Sequence, residues 1–319
     1  MHTKVNSLQL KTAVIGLGRI GFLNDVSNLN NSDIPLSHTK AVMSNDSLEL
    51  VVGVDQNKLN RDLFTSSTQV DSVELVDQIH EKIDLAIISV PTKLHHKIFK
   101  ATLERLEPRY VILEKPAGMN TSETIEMFDA ASSAGVNILT PYFRIHAKEI
   151  VELRESLSQG KKGKVEEVIV TYSHGLRQNG CHFLHLVDYL VGALDFRIDA
   201  AFKNLENPSW VSHTINGLKL TFIGLDKSRV RSGDIKISCE NGTYTLMNGG
   251  RIILSRELNV DTGWDEIEVS SKRIESIGIH NFYEDILFKF ENRTLIDDES
   301  ARTVRVQSLM CAIERELTT

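Results

Sequence analysis

The sequence predicts an α/β fold in two parts: an N-terminal parallel sheet covered by helices, and a C-terminal α+β domain with an open, mainly antiparallel sheet. Three observations predict it. Short, near-continuous apolar runs alternate with helical stretches up to Pro141. The first run ends in a glycine-rich turn, Gly16-Leu17-Gly18-Arg19-Ile20-Gly21. Beyond Pro141 the pattern becomes strand and turn, with helices at its beginning and end. The expected domains are therefore 1–141 and 142–319, with the last helices able to pack back on the first domain.

In order, Thr12-Ala13-Val14-Ile15 is a short strand feeding the glycine turn, and Leu48 to Val54 is a second strand ending at Asp55. Ile83 to Ser89 is a third, stopped by Pro91; Tyr110 to Leu113 and Val136 to Leu139 complete the series. Leu94 to Glu107 and Thr121 to Ala134 read as helices between them, and each crossover should be right-handed. In the second part His146 to Ser158 reads as a helix, Val165 to Tyr172 as a strand, and Cys181 to Val191 as a helix ending at Gly192. Asn241-Gly242, between Ile235 to Ser238 and Thr243 to Leu246, signals a hairpin. Asn281 to Phe290 and Glu299 to Glu316 are the closing helices.

Composition narrows the function classes. With 319 residues, 41% hydrophobic and 25% charged, the chain can build two cores. A net charge of −7 without long blocks argues against nucleic acid or an anionic membrane as partner. Lys161-Lys162-Gly163-Lys164 reads as a solvated turn. No apolar run reaches the ~18 residues of a membrane span, and Met1 to Lys11 lacks a signal-peptide core. Cys181, Cys239 and Cys311 are odd in number and far apart, so the expectation is free thiols in a reducing cytoplasm.

The glycine turn has a strand before it and a helix after it, the context a dinucleotide-binding motif requires. Gly16 permits the tight turn, Gly18 a close approach to a pyrophosphate, and Gly21 close helix–strand packing; Arg19 and Ile20 lie between. Asp55 is placed to bind the adenosine ribose and to repel a 2′-phosphate, which favours NAD over NADP. It lies further from Gly21 than the usual ~20 residues. The excess is the polar segment Asn24 to Ser37, read as an insertion after the first helical turn, either a spacer or a flap near the cofactor. Ser89, Pro91 and Thr92 end the third strong strand where backbone can approach the cofactor. His95, one turn into the next helix, is either a cofactor contact or a structural histidine.

Glu114-Lys115-Pro116 ends the next strand. Pro116 disfavours a helical conformation at Lys115, whose ammonium could orient a substrate oxygen and shuttle a proton. His182, at the start of a helix just after Asn179-Gly180, is the candidate proton partner. His185 is read as structural. A metal reading of His182, His185 and Asp188 is disfavoured because the zincin helix spaces its histidines four apart, so no metal is expected.

Together these residues resemble the glucose–fructose oxidoreductase / inositol dehydrogenase / MocA (Gfo/Idh/MocA) family. The resemblance rests on the glycine turn, Asp55, Ser89-Val90-Pro91-Thr92 with His95, Glu114-Lys115-Pro116, and Gly180-Cys181-His182 with Gly192. It implies an N-terminal Rossmann domain that binds NAD(P), including through Glu114 and Lys115. It further implies a hydride exchanged between nicotinamide and a hydroxyl carbon of a sugar, cyclitol or nucleotide sugar. Lys115 matches the family's catalytic lysine and His182 its helix-start histidine. Gln178 departs from the aspartate often found four residues before that histidine, so a Lys–Asp–His relay is incomplete. The chain is similar to branches with Asn-Gly before the histidine and a Tyr-x-Arg element, here Tyr142-Phe143-Arg144, which look like surface-polysaccharide sugar enzymes. On that resemblance Tyr142, Arg144, Gln178 and Asn179 are candidate substrate contacts.

The expected function is thus an NAD-dependent oxidoreductase acting on a sugar or nucleotide sugar. The alternatives are an NAD-binding protein without net dehydrogenase activity, or an enzyme that recycles tightly bound NAD within each turnover. The open sheet of the second domain, which needs cover on its apolar side, suggests a homodimer or homotetramer.

Overall fold

Two strands of the first part are buried along their whole length because both faces of their sheet are covered. In the computed structural model, which describes residues 9–27, 29, 34–192, 194–202, 206–214, 216–226, 233–258, 267–274, 278–292 and 297–318, all four residues of Leu85–Ile88 and of Tyr110–Leu113 are buried. The chain divides into two compact units, Met1–Pro141 with Gly278–Val304, and Tyr142–Ile277 with Arg305–Thr319.

The first unit holds β1 (Leu10–Ile15), β2 (Leu48–Val54), β3 (Ser72–Val73), β4 (Leu85–Ile88), β5 (Tyr110–Leu113) and β6 (Asn137–Leu139). They form one sheet in the order β3-β2-β1-β4-β5-β6, with every neighbouring pair parallel. The strand order reverses between β1 and β4, and an open α/β sheet binds its ligand at the carboxyl ends of strands there. Helices α1 (His38–Met43), α2 (Lys58–Thr68), α3 (His95–Leu106) and α4 (Thr121–Ser133) connect the strands. α2 and α4 start on asparagine caps: Asn57 Oδ1 accepts from Leu59 N (2.9 Å) and Asn120 Oδ1 from Glu123 N (2.9 Å).

The insertion leaves and rejoins a helical path. After the glycine turn, Leu23 N donates to Gly18 O (2.9 Å) and Asn24 N to Arg19 O (3.0 Å), and a short 3₁₀ turn follows over Leu23–Asp25. His38 N then donates to Ile20 O (2.9 Å) and Thr39 N to Gly21 O (2.9 Å). Those are the carbonyls that residues four positions on would serve in an unbroken helix. The segment Asn24 to Ser37 is therefore spliced into the helix after the glycine turn. Its stem is closed by Asp25, 1% exposed, whose Oδ2 accepts from Leu36 N (2.8 Å) and Ser37 Oγ (2.7 Å). Residues 28 and 30–33 of the insertion lie outside the described residues.

In the second unit a 3₁₀ turn, Phe143–His146, leads into α5 (Lys148–Ser158), and α6 (Cys181–Val191) follows β7 (Val165–Tyr172). The remaining strands are β8 (Phe196–Phe202), β9 (Ser209–Thr214), β10 (Lys219–Gly224), β11 (Gly233–Cys239), β12 (Gly242–Met247), β13 (Ile252–Leu258) and β14 (Ile267–Arg273). The sheet order is β14-β13-β12-β11-β7-β10-β9-β8, antiparallel except for the β7–β10 pair. Alternation sets its faces: Val168, Val170 and Tyr172 of β7 are fully buried and join Trp210, Leu220, Phe222, Ile235, Ile237 and Leu246 in one core. α6 is apolar nearly all round and is buried accordingly.

Two sequence expectations need correction. The hairpin between β11 and β12 reverses through Glu240 and Asn241; Gly242 is already paired with Cys239, so the turn comes one residue before Asn241-Gly242. Lys162 is not solvated. Its side chain is 3% exposed, with Nζ donating to Arg256 O (3.1 Å) and Glu257 Oε2 (2.9 Å) above the Tyr244 ring. The two closing helices are α7 (Ile279–Asn292), in the first unit, and α8 (Asp297–Thr318), whose residues to Val304 belong to the first unit and the rest to the second. Cys181, Cys239 and Cys311 are free thiols.

Candidate active site

The glycine turn is shaped by what a side chain would strike. Gly16 has φ +99°, and a Cβ there would lie 2.7 Å from Ser89 C and Val90 N. A Cβ at Gly21 would lie 1.9 Å from Gly16 O. A Cβ at Gly18 would meet nothing within 4 Å, so the backbone faces open space where a pyrophosphate is expected. Arg19 is exposed and Ile20 half-buried. Ser89 Oγ donates to Gly16 O (2.8 Å), tying the end of β4 to the turn.

Asp55 follows β2 and holds the turn from the other side. Its Oδ2 accepts from Leu17 N (2.8 Å) and Asn60 Nδ2 (3.2 Å), and its Oδ1 from Asn57 N (2.8 Å). A carboxylate offers about four lone-pair sites, so three donors leave room for a ribose hydroxyl. Pro91 and Thr92 start a 3₁₀ turn leading into α3. Both ring nitrogens of His95 face backbone carbonyls, Nδ1 at Ala117 (3.0 Å) and Nε2 at Val90 (2.9 Å). Burial lowers its pKa, against the opposing pull of those carbonyls and of Glu114. The neutral ring has one N–H, which serves one of the two carbonyls. His95 thus clasps the chain after β4 to the chain after β5.

At the end of β5, Glu114 N donates to Ile88 O (2.9 Å). Lys115 is half-buried and the Lys115–Pro116 peptide is cis. Glu114, 7% exposed, accepts from Lys115 N at Oε2 (3.0 Å), and its Oε1 lies 3.1 Å from His38 Nε2. His38 Nδ1 lies 2.8 Å from the Tyr283 hydroxyl. Burial works to raise the Glu114 pKa, but the hydrogen bond and charge of His38, with Lys115, outweigh it and leave the pKa lowered. Burial, with the Glu114 charge, pushes the Tyr283 hydroxyl well above its ordinary value. With Glu114 ionised, His38 Nε2–H donates to its carboxylate, and the protonated Tyr283 hydroxyl hydrogen-bonds to Nδ1 on the other side of the ring.

Sequence reasoning missed His38 and Tyr283. His38 had a signal: with Asn24 to Ser37 excised, it falls in the first helical turn after Gly21. Tyr283 had none, since it reaches His38 from 245 positions away.

In the second unit, β7 is followed by two residues of positive φ, His174 (+64°) and Gly175 (+85°), and then by a π-helical turn over Leu176–Gly180. Such turns recur at functional sites. Gln178 is exposed, whereas Asn179 is buried and donates Nδ2 to Ser173 O (2.9 Å). His182 is half-buried on the first turn of α6. Tyr142 is 3% exposed: its ring stacks on His185 (centroids 3.9 Å) and meets His182 edge-on (5.6 Å). It packs as a support for both histidines. Arg144 donates Nε to Gly249 O (2.8 Å) and lies over Phe183. Asp188 is paired through both oxygens with Arg305 (3.2 and 2.8 Å) and also accepts from Leu194 N.

Fold and site define a dinucleotide-binding α/β protein with a second, mixed-sheet unit. Residues 10–142 match the family model described as an oxidoreductase family with an NAD-binding Rossmann fold. A protein of Amycolatopsis mediterranei assigned as a UDP-kanosamine synthase oxidoreductase subunit is 28% identical over 153 residues, 48% of this chain and 38% of its own. The myo-inositol 2-dehydrogenase of Thermotoga maritima is 23% identical over 162 residues, 51% of this chain and 45% of its own. The chain thus spans less than half the length of these curated relatives. A 3-ketoreductase from Actinomadura kijaniata, solved with NADP, superposes with a TM-score of 0.76 at 14% identity, covering 95% of this chain and 96% of its own. At that identity the likeness is one of fold. Among the described residues, no helix is long and apolar enough to cross a membrane.

Proposed function

We propose that the protein is an NAD-dependent oxidoreductase that exchanges a hydride with a hydroxyl carbon of a sugar or nucleotide-linked sugar. The observation that carries this reading is the lysine of Glu114-Lys115-Pro116, at the carboxyl end of β5 in a sheet whose β1 ends in an open glycine turn. The open backbone at Gly18 and the acceptor capacity left on Asp55 fit a dinucleotide. The Asp55 charge disfavours a 2′-phosphate, which supports NAD over NADP.

Oxidising a carbinol removes a hydride from carbon and a proton from oxygen; bound NAD supplies the hydride acceptor. Lys115 polarises the oxygen, and His182 carries the proton onward. The edge-on contact of the Tyr142 ring fixes the His182 environment. Gln178, an exposed amide, contacts substrate without taking a proton. Names of relatives that act on inositol and on a UDP-sugar support a sugar-like substrate, and a role in surface-polysaccharide sugars is the finer form of this reading. The working compartment is the cytoplasm. Strand register puts Phe202, Ile223, Met247 and Val269 on the face of the second sheet opposite its core, all exposed, which supports a homodimer or homotetramer through that face.

The test is Lys115→Met. Turnover on a panel of sugar nucleotides, read by NADH absorbance, is expected to fall by roughly 10²–10⁴-fold with NAD affinity retained. Undiminished turnover refutes the role of Lys115, and NAD binding without any turnover across the panel favours a cofactor-binding protein that is not a dehydrogenase.

A further inference from the structure

His38, Glu114 and Tyr283 form a chain of three polar side chains in the interior of the first unit, and the reaction proposed above makes no use of two of them. His38 is 0% exposed, Tyr283 1% and Glu114 7%. Burying such groups is costly unless each is partnered. Here each has a partner at hydrogen-bond distance, and the last link reaches the backbone of Lys115.

We propose that His38 and Tyr283 are positioning residues: the imidazole, held between the tyrosine hydroxyl and the carboxylate, keeps Glu114 an anion whose second oxygen fixes the Lys115 amide. The inference rests on the reading of Lys115 as the group that handles the substrate oxygen. It also gives the insertion a consequence. The spliced segment returns to the helix with Ser37 as its cap and His38 as the first residue, so the closure of its stem by Asp25 sets where the imidazole enters.

The charges around Glu114 are accounted for element by element. His38 comes from α1, and Tyr283 stands behind it from α7. Lys115 follows directly in the chain, and His95 on α3 feels the Glu114 charge. If His38 is replaced by an apolar residue, Oε1 loses its donor while the burial remains. The carboxyl then takes up a proton at a higher pH than in the wild type. Function that depends on the anion is lost earlier as pH falls.

The test needs no substrate. In the full-length chain labelled with ¹³C-glutamate, the Glu114 carboxyl is assigned by its absence in Glu114→Gln and titrated by NMR. The wild-type midpoint is expected below the ordinary glutamate range. His38→Leu is expected to move it upward, His38→Gln to keep it low because its amide still donates, and Tyr283→Phe to move it upward by less. The acid limb of NADH binding, read by fluorescence, is expected to rise in His38→Leu and to stay in His38→Gln. Should His38→Leu fail to fold, Tyr283→Phe and the ¹⁵N shifts of wild-type His38 decide, with a proton on Nε2 expected. An unmoved midpoint in the variant titrated, an acid limb that stays put while the carboxyl moves, or an Nδ1–H tautomer overturns the proposal. Failure of the Lys115 reading shows separately, as retained turnover in Lys115→Met.

Discussion

At the carboxyl end of β1 the candidate groups are mostly backbone, whereas at the start of α6 they are side chains held by other side chains. The glycine turn works through the absence of Cβ atoms at Gly16 and Gly21 and through single contacts from Ser89 and Asp55. The α6 region works through Tyr142, stacked on His185 and edge-on to His182, and through an arginine that closes the helix from α8. A backbone site of the first kind needs particular residue types at fixed spacing and is therefore visible in a sequence. A packed site of the second kind depends on neighbours that chain spacing does not reveal.

The largest effect should separate two glycines of one motif. In Gly21→Ala the new Cβ would meet Gly16 O at 1.9 Å, and only a backbone shift relieves it. We expect a loss of about 3 kcal/mol of stability from overpacking, read from urea denaturation. In Gly18→Ala the Cβ enters open space, so stability should change by no more than about 0.5 kcal/mol. NAD affinity should nevertheless fall about tenfold or more, a change worth about 1.4 kcal/mol. Equal effects on folding at the two positions would show that the turn is not organised as described.

The second region should respond next. Asp188→Asn removes the charge partner of Arg305 from the buried side of α6. One-sided removal from a buried pair costs about 3–5 kcal/mol. Arg305 is 31% exposed against 0% for Asp188, so water takes over part of its solvation and about 2 kcal/mol is expected by urea denaturation. No loss would mean that the pair contributes nothing beyond geometry. Tyr142→Leu should cost about 1 kcal/mol in lost ring stacking. It should also alter the pH profile of turnover through His182, an effect Tyr142→Phe should not reproduce.

The contrast also explains what the sequence could reveal. β7 and α6 begin and end where their apolar patterns begin and end, because alternation and helical period are set by the core they face. β2 and β5 likewise match their apolar runs. β3 carries no such run: it is two residues held by pairing Ser72 with Gly53 and Val73 with Val54, so only its partner strand defines it. Lys162 reads as solvent-facing by type, yet a partner from β13 and a tyrosine ring below make a buried ammonium tolerable. In the site, Gly16, Gly18, Gly21 and Asp55 were visible as a spaced motif. The Tyr283 contact to His38 was not, because nothing local to either residue encodes a meeting across 245 positions.

The smallest effect tests whether His95 belongs to the scaffold of the first region. Its lowered pKa means that the native state resists a proton that the unfolded chain accepts below the ordinary histidine value of 6.5. As pH falls from 6.5 toward the native pKa, the unfolded state therefore binds more protons than the native state, and stability declines. One such group contributes a slope of at most about 1.4 kcal/mol per pH unit. Glu114 acts in a lower window: its native pKa is depressed, so its contribution is present above 4.5 and is lost as pH falls through the native value. Urea midpoints of wild type and His95→Gln, compared from pH 7 down to about 5, should diverge, the wild type losing stability more steeply. Parallel curves would mean that His95 does not stay neutral in the folded chain. The clasp between Val90 and Ala117 would then be made by a charged ring with both nitrogens donating, a different electrostatic setting for Glu114.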